Sequence, residues 1–454
     1  MNYFSLLLEL FILKRNEKKT RNEIKAIRER KLRKLLLYAY DNSEYYRNSF
    51  EKAGIDRNLV KTLPLQKFPS TDKNIFLQNF DTLVTAGDLT QKELREFDLK
   101  CTNNELFKGK YHIVHSSGSS EKPGYFVYDK QAWHSMLIGM VRGALWEKSI
   151  FGIIKYMLKK PRIVYIAATD GRYGGAMAVG AGINGIGAKQ LFLDIKTPLD
   201  EWIRQLNEFK PNTIIGYPSA IKILAELAKN KSLSFNLNRI VSCGEPLSGA
   251  LRKTLENLFH TDVINFYGAS ESIALGVEGM TENGMYLFDD VNYIEFIDGE
   301  MYLTCLYNYV QPIIRYKLSD KLSVLPYDKN NRYPFTKVKS IVGRNEDLMW
   351  FENGKGNREF IHPLAIEGFC IDGMRDYQFR QIDVSAFEML IEPSDKSKCD
   401  NIRNKMLSEM EDILREKDLT NVQFYVEFVD KIEPEKHSGK KKLVIKNFKE
   451  ELAI

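Results

Sequence analysis

Apolar residues recur at helical spacing through the first part of the chain. Residues 3–13 form an apolar run of eleven residues interrupted only by Glu9, with basic residues just after it. This run is too short to span a bilayer, so we expect a helix docked on the protein's own core, with a membrane-surface helix as the alternative. Residues 21–53 continue the helical pattern, and Gly54 is predicted to end it.

From about Ile113 the pattern changes to short apolar runs rich in β-branched residues, alternating with helical stretches. Such runs are typical of buried strands, and their alternation with helices indicates a largely parallel sheet covered by helices. The predicted strands are residues 163–166, 213–215 and 240–241, and the predicted helices are residues 220–228 and 250–258.

The last third of the chain shows two further patterns. Residues 286–309 alternate in the manner of antiparallel strands around the turn Asp298-Gly299. After Gly343, strand-like runs at 387–391 and 422–428 flank a charged helix at 398–417. This final part of the chain is therefore predicted to be a small α+β unit.

Composition narrows the class of protein without naming an activity. The 454 residues include 44% hydrophobic and 28% charged residues, which excludes a disordered or collagen-like chain. The net charge of +6 is too dilute over this length to indicate nucleic-acid binding. The five cysteines are scattered and form no metal-binding pattern, so we expect reduced thiols and a cytoplasmic location; they are Cys101, Cys243, Cys305, Cys370 and Cys399.

The segment 115–126, HSSGSSEKPGYF, is the first candidate for chemistry. Small hydroxyl residues around Gly118 would let backbone N–H groups close on phosphate oxygens, and Lys122 would add a positive charge. The segment lacks the GxxxxGK[ST] pattern of a Walker loop. Taken alone, a plain flexible turn is the competing interpretation.

Further stretches downstream make the pattern specific. They are SCGEPL at 242–247, NFYGASES at 265–272, RYKLSD at 315–320, and Pro434 followed by Gly439-Lys440. In this order and spacing they resemble the adenylate-forming superfamily of acyl-AMP ligases, and in particular its phenylacetate–CoA ligase branch with the CapK-like proteins. Residues 28–55 and 215–219 also look like that branch, so the resemblance covers nearly the whole chain.

The resemblance implies an α/β fold with two parts. Residues 1–342 would form a large adenylation domain of several subdomains with mixed parallel sheets. Residues 343–454 would form a small, mobile α+β cap domain. Residues 343–347 resemble the family's hinge, whose rotation would withdraw Lys440 after adenylation and open a channel for the acceptor.

It also implies a nucleotide site for ATP. The residues around the β- and γ-phosphates would be Ser116, Ser117, Gly118, Ser119, Ser120 and Lys122. The backbone of Gly244, Glu245 and Pro246 would form the adenine shelf, with Tyr267 and Gly268 beside the base.

Within that nucleotide site, the catalytic and metal-binding roles fall on the later motifs. Ser270 would bind the α-phosphate, and Glu271 would bind Mg²⁺, since a hard cation between phosphates prefers oxygen ligands. Asp320 would accept both ribose hydroxyls, and Arg344 would lie near the nucleotide.

Lys440 is the residue predicted to carry the adenylation step. A cation aimed at charge developing on the carboxylate and the α-phosphate stabilises the transition state more than the ground state. Lys441 and Lys442 are adjacent to Lys440, so it stays open whether the catalytic lysine lies one position further along. The spacing from Pro434 favours Lys440.

The sequence departs from the family pattern at three positions, Glu121, Ser319 and Glu346. Glu121 matters most, because it places a carboxylate where the phosphate loop usually has glycine. It could point outward or reduce the affinity for ATP. None of the three replaces a group that performs chemistry.

The sequence identifies the carboxylic acid and the acyl acceptor less specifically than it identifies the nucleotide. Pocket candidates are Trp133, Tyr217, Gly174 and Gly175, because aromatics with glycines suit a flat apolar acid. The resemblance favours an aryl or arylacetic acid and a thiol acceptor such as coenzyme A. Cys243 is expected to pack rather than act as a nucleophile.

Three alternatives stay open. The acyl group could pass to an amine, a hydroxyl or a carrier-protein thiol, as in natural-product pathways. The chain could instead be a CapK-like binding or assembly component without turnover, which Glu121 would favour. The expected partners are the carboxylic acid and the acceptor, without nucleic acid or a transmembrane segment, and a homodimer is left open.

Overall fold

The computed structural model describes residues 3–100, 105–115, 124–168, 177–180, 188–233, 235–247, 249–279, 284–318, 320, 322–339, 348–361, 373–432 and 443–446. Its helices are α1 (Tyr3–Asn16), α2 (Arg21–Asn42), α3 (Glu44–Lys52), α4 (Lys73–Gln78), α5 (Phe80–Leu83), α6 (Gln91–Lys100), α7 (Lys130–Ala144), α8 (Ile150–Leu158), α9 (Leu199–Phe209), α10 (Pro218–Lys229), α11 (Gly249–Phe259) and α12 (Cys399–Glu416). Short 3₁₀ turns lie at Leu59–Lys61, Leu65–Lys67 and Lys396–Lys398.

The strands follow in chain order. They are β1 (His112–His115), β2 (Tyr125–Tyr128), β3 (Arg162–Ala167), β4 (Lys189–Asp194), β5 (Thr213–Gly216), β6 (Arg239–Cys243), β7 (Val263–Ala269), β8 (Ser272–Glu278), β9 (Met285–Leu287), β10 (Asn292–Ile297), β11 (Glu300–Cys305), β12 (Tyr316–Leu318), β13 (Lys337–Val338), β14 (Met349–Glu352), β15 (Arg358–Ile361), β16 (Met374–Gln381), β17 (Ala386–Pro393), β18 (Gln423–Phe428) and β19 (Val444–Lys446).

A large mixed sheet forms the centre of the fold. Among the described residues it has eight strands in the order β13-β9-β8-β7-β6-β5-β3-β4. The strands from β4 to β7 are parallel, and β8, β9 and β13 add an antiparallel edge. The three predicted buried strands and the two predicted helices all occur here, with bounds within two residues of those expected. The predicted α/β class is therefore confirmed.

The predicted antiparallel region divides between two sheets. β10 and β11 form the expected hairpin, and Asp298 and Gly299 turn it with positive φ values of 51° and 79°. β9 instead pairs with β8 and β13 in the large sheet. The chain changes sheets at Asp289 and Asp290, which are buried and bonded to other parts of the fold.

The C-terminal part is the small α+β unit that the sequence predicts. Its sheet has the order β18-β17-β16-β19, and α12 packs along β18. The β14–β15 hairpin precedes this sheet. The predicted boundary at 342/343 and the hinge at 343–347 lie outside the described residues.

The N-terminal helices pack on the large sheet's helical cover. α1 buries Leu10 and Leu13 and lies along α7, so it is docked on the core as expected. Ser43 interrupts the predicted continuous helical stretch, because it ends α2 and its hydroxyl caps α3 at the amide of Tyr46. In the described part of the chain, no helix is long and apolar enough to cross a membrane.

A buried ion pair fastens these helices to the sheet. The Arg142 guanidinium of α7 donates to both carboxylate oxygens of Asp290, at 2.8 and 3.1 Å, and both side chains are fully buried. Asn16 Nδ2 donates to the same carboxylate at 2.9 Å, and Lys31 Nζ donates to the Asp290 carbonyl at 2.6 Å. Burial alone raises the pKa of Asp290, but the surrounding donors outweigh it and hold that pKa below its usual range.

A second buried pair joins the C-terminal part to the large sheet. Lys417, at the end of α12, contacts Glu359 of β15 at 3.2 Å and donates to the Thr197 carbonyl at 2.8 Å. The other oxygen of Glu359 accepts the Leu199 amide, at the start of α9, at 2.6 Å. Phe360 packs edge-on against the buried Trp202 of α9, so apolar contact surrounds the charges.

Replacing Asp290 with alanine should destabilise the fold. Arg142 would keep its charge in a buried site without its partner, which typically costs about 3–5 kcal/mol. Urea unfolding measures the loss, with Asp41→Ala as the control, since the exposed pair of Asp41 with Arg57 should be worth at most about 1 kcal/mol. Equal losses in the two variants would contradict the role given to Asp290.

The Lys417 pair should respond to alkaline pH. Burial lowers the pKa of Lys417 from 10.5 to about 8, despite Glu359 beside it. Between those values the unfolded chain binds the proton and the folded chain does not, so raising the pH removes the cost of burying this charge.

The unfolding free energy of the natural protein should therefore rise relative to that of Lys417→Met, by roughly 3 kcal/mol over that pH interval. Urea unfolding of both proteins at several pH values measures the difference, which cancels other titrating groups. Lys396→Met is the control, because Lys396 pairs with Asp430 in full exposure. A difference that stays constant with pH would show that Lys417 keeps an ordinary pKa.

Candidate active site

Three neighbouring parallel strands bring the sequence motifs to one edge of the large sheet. β5 and β6 pair with Gly216 opposite Ser242, and β6 and β7 pair with Cys243 opposite Phe266. Tyr217, Gly244 and Ser270 therefore follow strand ends at the same edge. Ligands of open α/β sheets bind outside the carboxyl ends of the strands, so this edge is the candidate site.

The turn after β6 has a conformation that requires glycine. Gly244 has a φ of +82°, and a Cβ there would lie 2.5 Å from Cε1 of Tyr217. The ring of Tyr217 thus packs directly beneath the backbone of the turn. A flat backbone surface supported by an aromatic ring matches the predicted shelf, which acts through its main chain.

The carboxylate of Glu245 is engaged in holding this turn in place. It accepts the Ser219 hydroxyl at 2.8 Å and the Ser219 amide at 3.1 Å, in the first turn of α10. A negative charge is favourable at a helix N-terminus, where backbone amides lack partners. Glu245 therefore ties the turn after β6 to the start of α10 and leaves its backbone as the part facing the site.

Ser270 and Glu271 form the tight turn between β7 and β8, where Ala269 pairs with Ser272. Gly268 is required just before it, because a Cβ there would lie 2.1 Å from the Ile273 carbonyl oxygen. The Tyr128 hydroxyl of β2 donates to the Ser270 carbonyl at 2.9 Å. This contact ties the turn to the β1–β2 hairpin.

Tyr267 and Asp320 contact each other directly. The Tyr267 hydroxyl donates to Oδ2 of Asp320 at 2.7 Å. Burial, with the charge of Asp320 adding to it, raises the pKa of Tyr267 well above its usual value, so the phenol stays protonated as a donor. The residue predicted to pack on the base and the residue predicted to bind the ribose are therefore neighbours.

The carboxyl group of Glu271 lies in a mixed electrostatic environment. Burial raises its pKa, and the charge of Asp320 raises it further. A hydrogen bond from the Tyr316 hydroxyl and the charge of Lys73 act in the opposite direction. Two neighbouring carboxyl groups make this corner a place where a cation would relieve repulsion.

The comparisons with known proteins agree with this geometry. The family model described as "AMP-binding enzyme" matches residues 175–290, which include the strand ends β5, β6 and β7. The chain is therefore similar to the AMP-binding superfamily of AMP-forming acid ligases.

Curated relatives extend the similarity over most of the chain. Protein CapK of Staphylococcus aureus is 26% identical, over 97% of this chain and 95% of that protein. The phenylacetate–coenzyme A ligase of Aromatoleum evansii is 24% identical, over 73% of each chain.

The fold is shared with a solved ligase. The structure of 2-hydroxyisobutyryl-CoA ligase with 2-HIB-AMP and CoA, in its thioesterification state, has a TM-score of 0.62 at 20% identity, covering 95% of this chain and 91% of that one. The same enzyme in its postadenylation state has a TM-score of 0.57 at 21% identity, covering 96% and 92%. At this identity the likeness establishes a common fold.

The two aromatic candidates for the acid pocket are both largely buried. Trp133 stacks on His112 with centroids 4.0 Å apart and meets Tyr128 edge-on at 5.8 Å. Burial lowers the pKa of His112 to about 4, so the stacked imidazole is neutral. Trp133 thus lies next to Tyr128, which contacts the Ser270 turn, and Tyr217 supports the shelf, so a role in acid binding stays a prediction for both.

Several predicted site residues lie outside the described part of the chain. They are Ser116, Ser117, Gly118, Ser119, Ser120, Lys122, Gly174, Gly175, Arg344 and Lys440. The ends of the 116–123 loop are nevertheless placed, because His115 pairs with Tyr125 at the end of the β1–β2 hairpin. Tyr128, which contacts the Ser270 turn, ends the same strand.

Sequence reasoning missed three residues that contact the site. Tyr316 lies inside the RYKLSD stretch, but its hydroxyl bond to Glu271 has no local signal. The charge of Lys73 acts on Glu271, since Thr71 bridges to Tyr316 and the adjacent α4 starts at Lys73. Tyr128 ends a strand that is buried along its whole length, so the sequence pattern indicates core packing and not a site contact.

The side chains of Cys243 and His134 make packing or structural contacts. Burial raises the pKa of the Cys243 thiol to about 12, which agrees with packing rather than nucleophilic attack. His134 contacts Glu9 at 3.0 Å between α7 and α1. Cys243, Cys305 and Cys399 are free thiols, and the described residues contain no His, Cys, Asp and Glu group able to hold a metal by itself.

Replacing Gly244 with alanine should disturb the shelf. The positive φ and the contact with Tyr217 should together lower the free energy of unfolding by about 1–3 kcal/mol. Gly249→Ala is the matched control, because a Cβ there meets nothing within 4 Å. If both variants unfold at the same urea concentration, the conformation of Gly244 is not required.

Proposed function

We propose that this protein is an ATP-dependent ligase that activates a carboxylic acid as its acyl-AMP and passes the acyl group to a thiol. A carboxylate oxygen attacks the α-phosphorus of ATP and pyrophosphate leaves. The acceptor sulfur then attacks the acyl carbon, and AMP leaves with the bonding electron pair. The observation that carries this proposal is the contact of Tyr267 with Asp320 beside Glu271, at the carboxyl edge of the sheet.

Asp320 suits the role of ribose ligand. Its Oδ2 accepts one hydrogen bond from Tyr267, yet a carboxylate offers about four lone-pair positions. The positions left can accept two vicinal ribose hydroxyls as charge-assisted bonds. Tyr267 would both orient this carboxylate and cover the base that rests on the shelf at Gly244.

Glu271 suits the role of a Mg²⁺ ligand. Mg²⁺ is commonly held by one or two carboxylates together with substrate phosphates, so a complete protein cage is not needed. Glu271 would supply a carboxyl oxygen, and bound Mg²⁺ would neutralise both its charge and phosphate charge there. Tyr316 orients the Glu271 carboxyl group through its hydroxyl.

The 116–123 loop is proposed to hold the β- and γ-phosphates. Tyr128 and Tyr125 are at opposite ends of β2, so the loop starts about 10 Å along the strand from the contact with Ser270. That separation suits a triphosphate that extends from Ser270 toward the loop. Lys440 would reach the reacting carboxylate and α-phosphate from the C-terminal domain, and Arg344 would lie near the nucleotide.

The proposed identities of the acid and of the acyl acceptor are based on similarity to relatives. Similarity to phenylacetate–coenzyme A ligases supports an aryl or arylacetic acid and coenzyme A as the thiol, with ATP use favouring a cytoplasmic location. Transfer to an amine, a hydroxyl or a carrier-protein thiol is the alternative that product analysis would reveal. The full-length similarity to CapK keeps a component without turnover as the second alternative.

ATP–pyrophosphate exchange tests the proposal directly. Exchange should require Mg²⁺ and one acid from a panel of aryl, arylacetic and aliphatic carboxylic acids. The same panel identifies the substrate class, and mass spectrometry with candidate acceptors identifies the acceptor. Absence of exchange with every acid, in protein that binds ATP, would favour the CapK-like component without turnover.

Lys440→Ala should reduce exchange by about 10²–10³-fold, because it removes one preorganised positive charge from the transition state. ATP binding and the melting temperature should change little. Lys441→Ala and Lys442→Ala are matched controls from the same basic cluster. Loss of exchange in one control and its retention in Lys440→Ala would move the catalytic role to that neighbour.

A further inference from the structure

Helix α8 is apolar on its outer face as well as on its inner face. Ile153 and Met157 are buried against the large sheet. On the opposite side Phe151, Ile154 and Leu158 are 77%, 42% and 78% exposed. A helix that is apolar all round normally lies in a protein core or a membrane, so this outer face lacks an explanation within the described chain.

The helix is held firmly in this orientation. The Ser149 hydroxyl accepts the Gly152 amide at 3.0 Å and caps its N-terminus. The Tyr156 hydroxyl, on the inner side, lies 2.6 Å from the Thr213 hydroxyl of β5. The exposed apolar residues therefore stand on a fixed platform at the surface.

Positive charge surrounds this face. From Lys148 to Thr169 the sequence has five basic residues and no acidic one. Lys155 and Lys159 share the outer side of α8, and Lys160 and Arg162 follow it, all four exposed. Lys189 adds a further exposed cation, since it pairs with Arg162 across β3 and β4. Within the described residues no ion pair neutralises the five exposed cations, which are Lys155, Lys159, Lys160, Arg162 and Lys189.

We propose that the outer face of α8 binds the surface of an anionic phospholipid bilayer. Phe151, Ile154 and Leu158 insert at the level between headgroups and acyl chains, while Lys155, Lys159, Lys160 and Arg162 contact lipid phosphates. Interfacial helices combine an apolar stripe with flanking cations in this way, and basic residues strengthen binding to anionic lipid. The protein is then peripheral to the membrane, and this inference does not depend on the proposed ligase activity.

The geometry favours a lipid surface over a protein partner. A stable protein interface buries about 800 Å² on each partner and uses some 20–30 residues a side. Here three apolar side chains project from one nine-residue helix, and exposed basic side chains surround them. Projecting side chains insert readily into a fluid surface, whereas a protein partner would need a matching groove.

Flotation with lipid vesicles tests the proposal on the full-length protein. The protein should float with vesicles that contain phosphatidylglycerol, and weakly with phosphatidylcholine alone. High salt should reduce the binding, because screening removes the attraction of lysines for the surface.

Two variants separate the apolar and charged contributions. Phe151→Ser with Leu158→Ser should weaken vesicle binding at least tenfold, since each buried methylene group contributes about fourfold to partitioning. Lys155→Gln with Lys159→Gln should weaken it about fivefold per lysine, and only on anionic vesicles. Leu407→Ser is the control, because Leu407 is also an exposed leucine on a helix, α12.

Two results would overturn the proposal. One is vesicle binding by the serine double variant equal to that of the natural protein, with an unchanged melting temperature. The other is a natural protein that ignores vesicles but self-associates in sedimentation, with self-association lost in the serine double variant. In that case the face is covered by a second copy of the chain.

Discussion

The buried ion pair of Arg142 with Asp290 is the interaction on which the arrangement of the large domain depends. Its two residues are distant in sequence and come from α7 and from the turn where the chain leaves the large sheet. Asn16 and Lys31 complete the hydrogen bonding of Asp290, so α1 and α2 are attached at the same point. Removing Arg142 or Asp290 would leave the other charge buried without its partner, and the bonds from Asn16 and Lys31 hold the N-terminal helices at this point.

The position of the N-terminal helices also affects the candidate site, because the chain that follows them contributes to it. The chain after α2 and α3 reaches Thr71, which bridges to Tyr316, the first residue of β12. Thr71 is followed by α4, whose first residue is Lys73. The positive charge of Lys73 acts to lower the pKa of Glu271. From the other side, Tyr128 of the β1–β2 hairpin donates to the Ser270 turn. The site is therefore assembled on the strand ends by segments that are remote in sequence, each fastened by buried polar contacts.

Much of the fold could be predicted, because its signals are local. Strands such as β3 and β5 have short β-branched runs, and the hairpin turn at Asp298-Gly299 uses residues suited to positive φ. The motif order predicted the superfamily and placed Tyr267, Glu271 and Asp320 in one site, and these three residues do lie together. The division of residues 285–305 between two sheets could not be predicted, since it depends on where the buried Asp289 and Asp290 find partners.

The sequence by itself determined the α/β class, most element bounds and the identity of the motif residues, because periodicity and turn chemistry act over a few neighbours. Only the tertiary structure decided what those residues touch. Glu245 caps α10, Tyr217 supports the turn at Gly244, and Tyr316 bonds Glu271. It also left Phe151 and Leu158 of an apolar helix exposed among lysines, where hydrophobicity alone predicts burial. Burial and hydrogen-bond partners depend on which distant segments pack together, and that is a property of the whole folded chain.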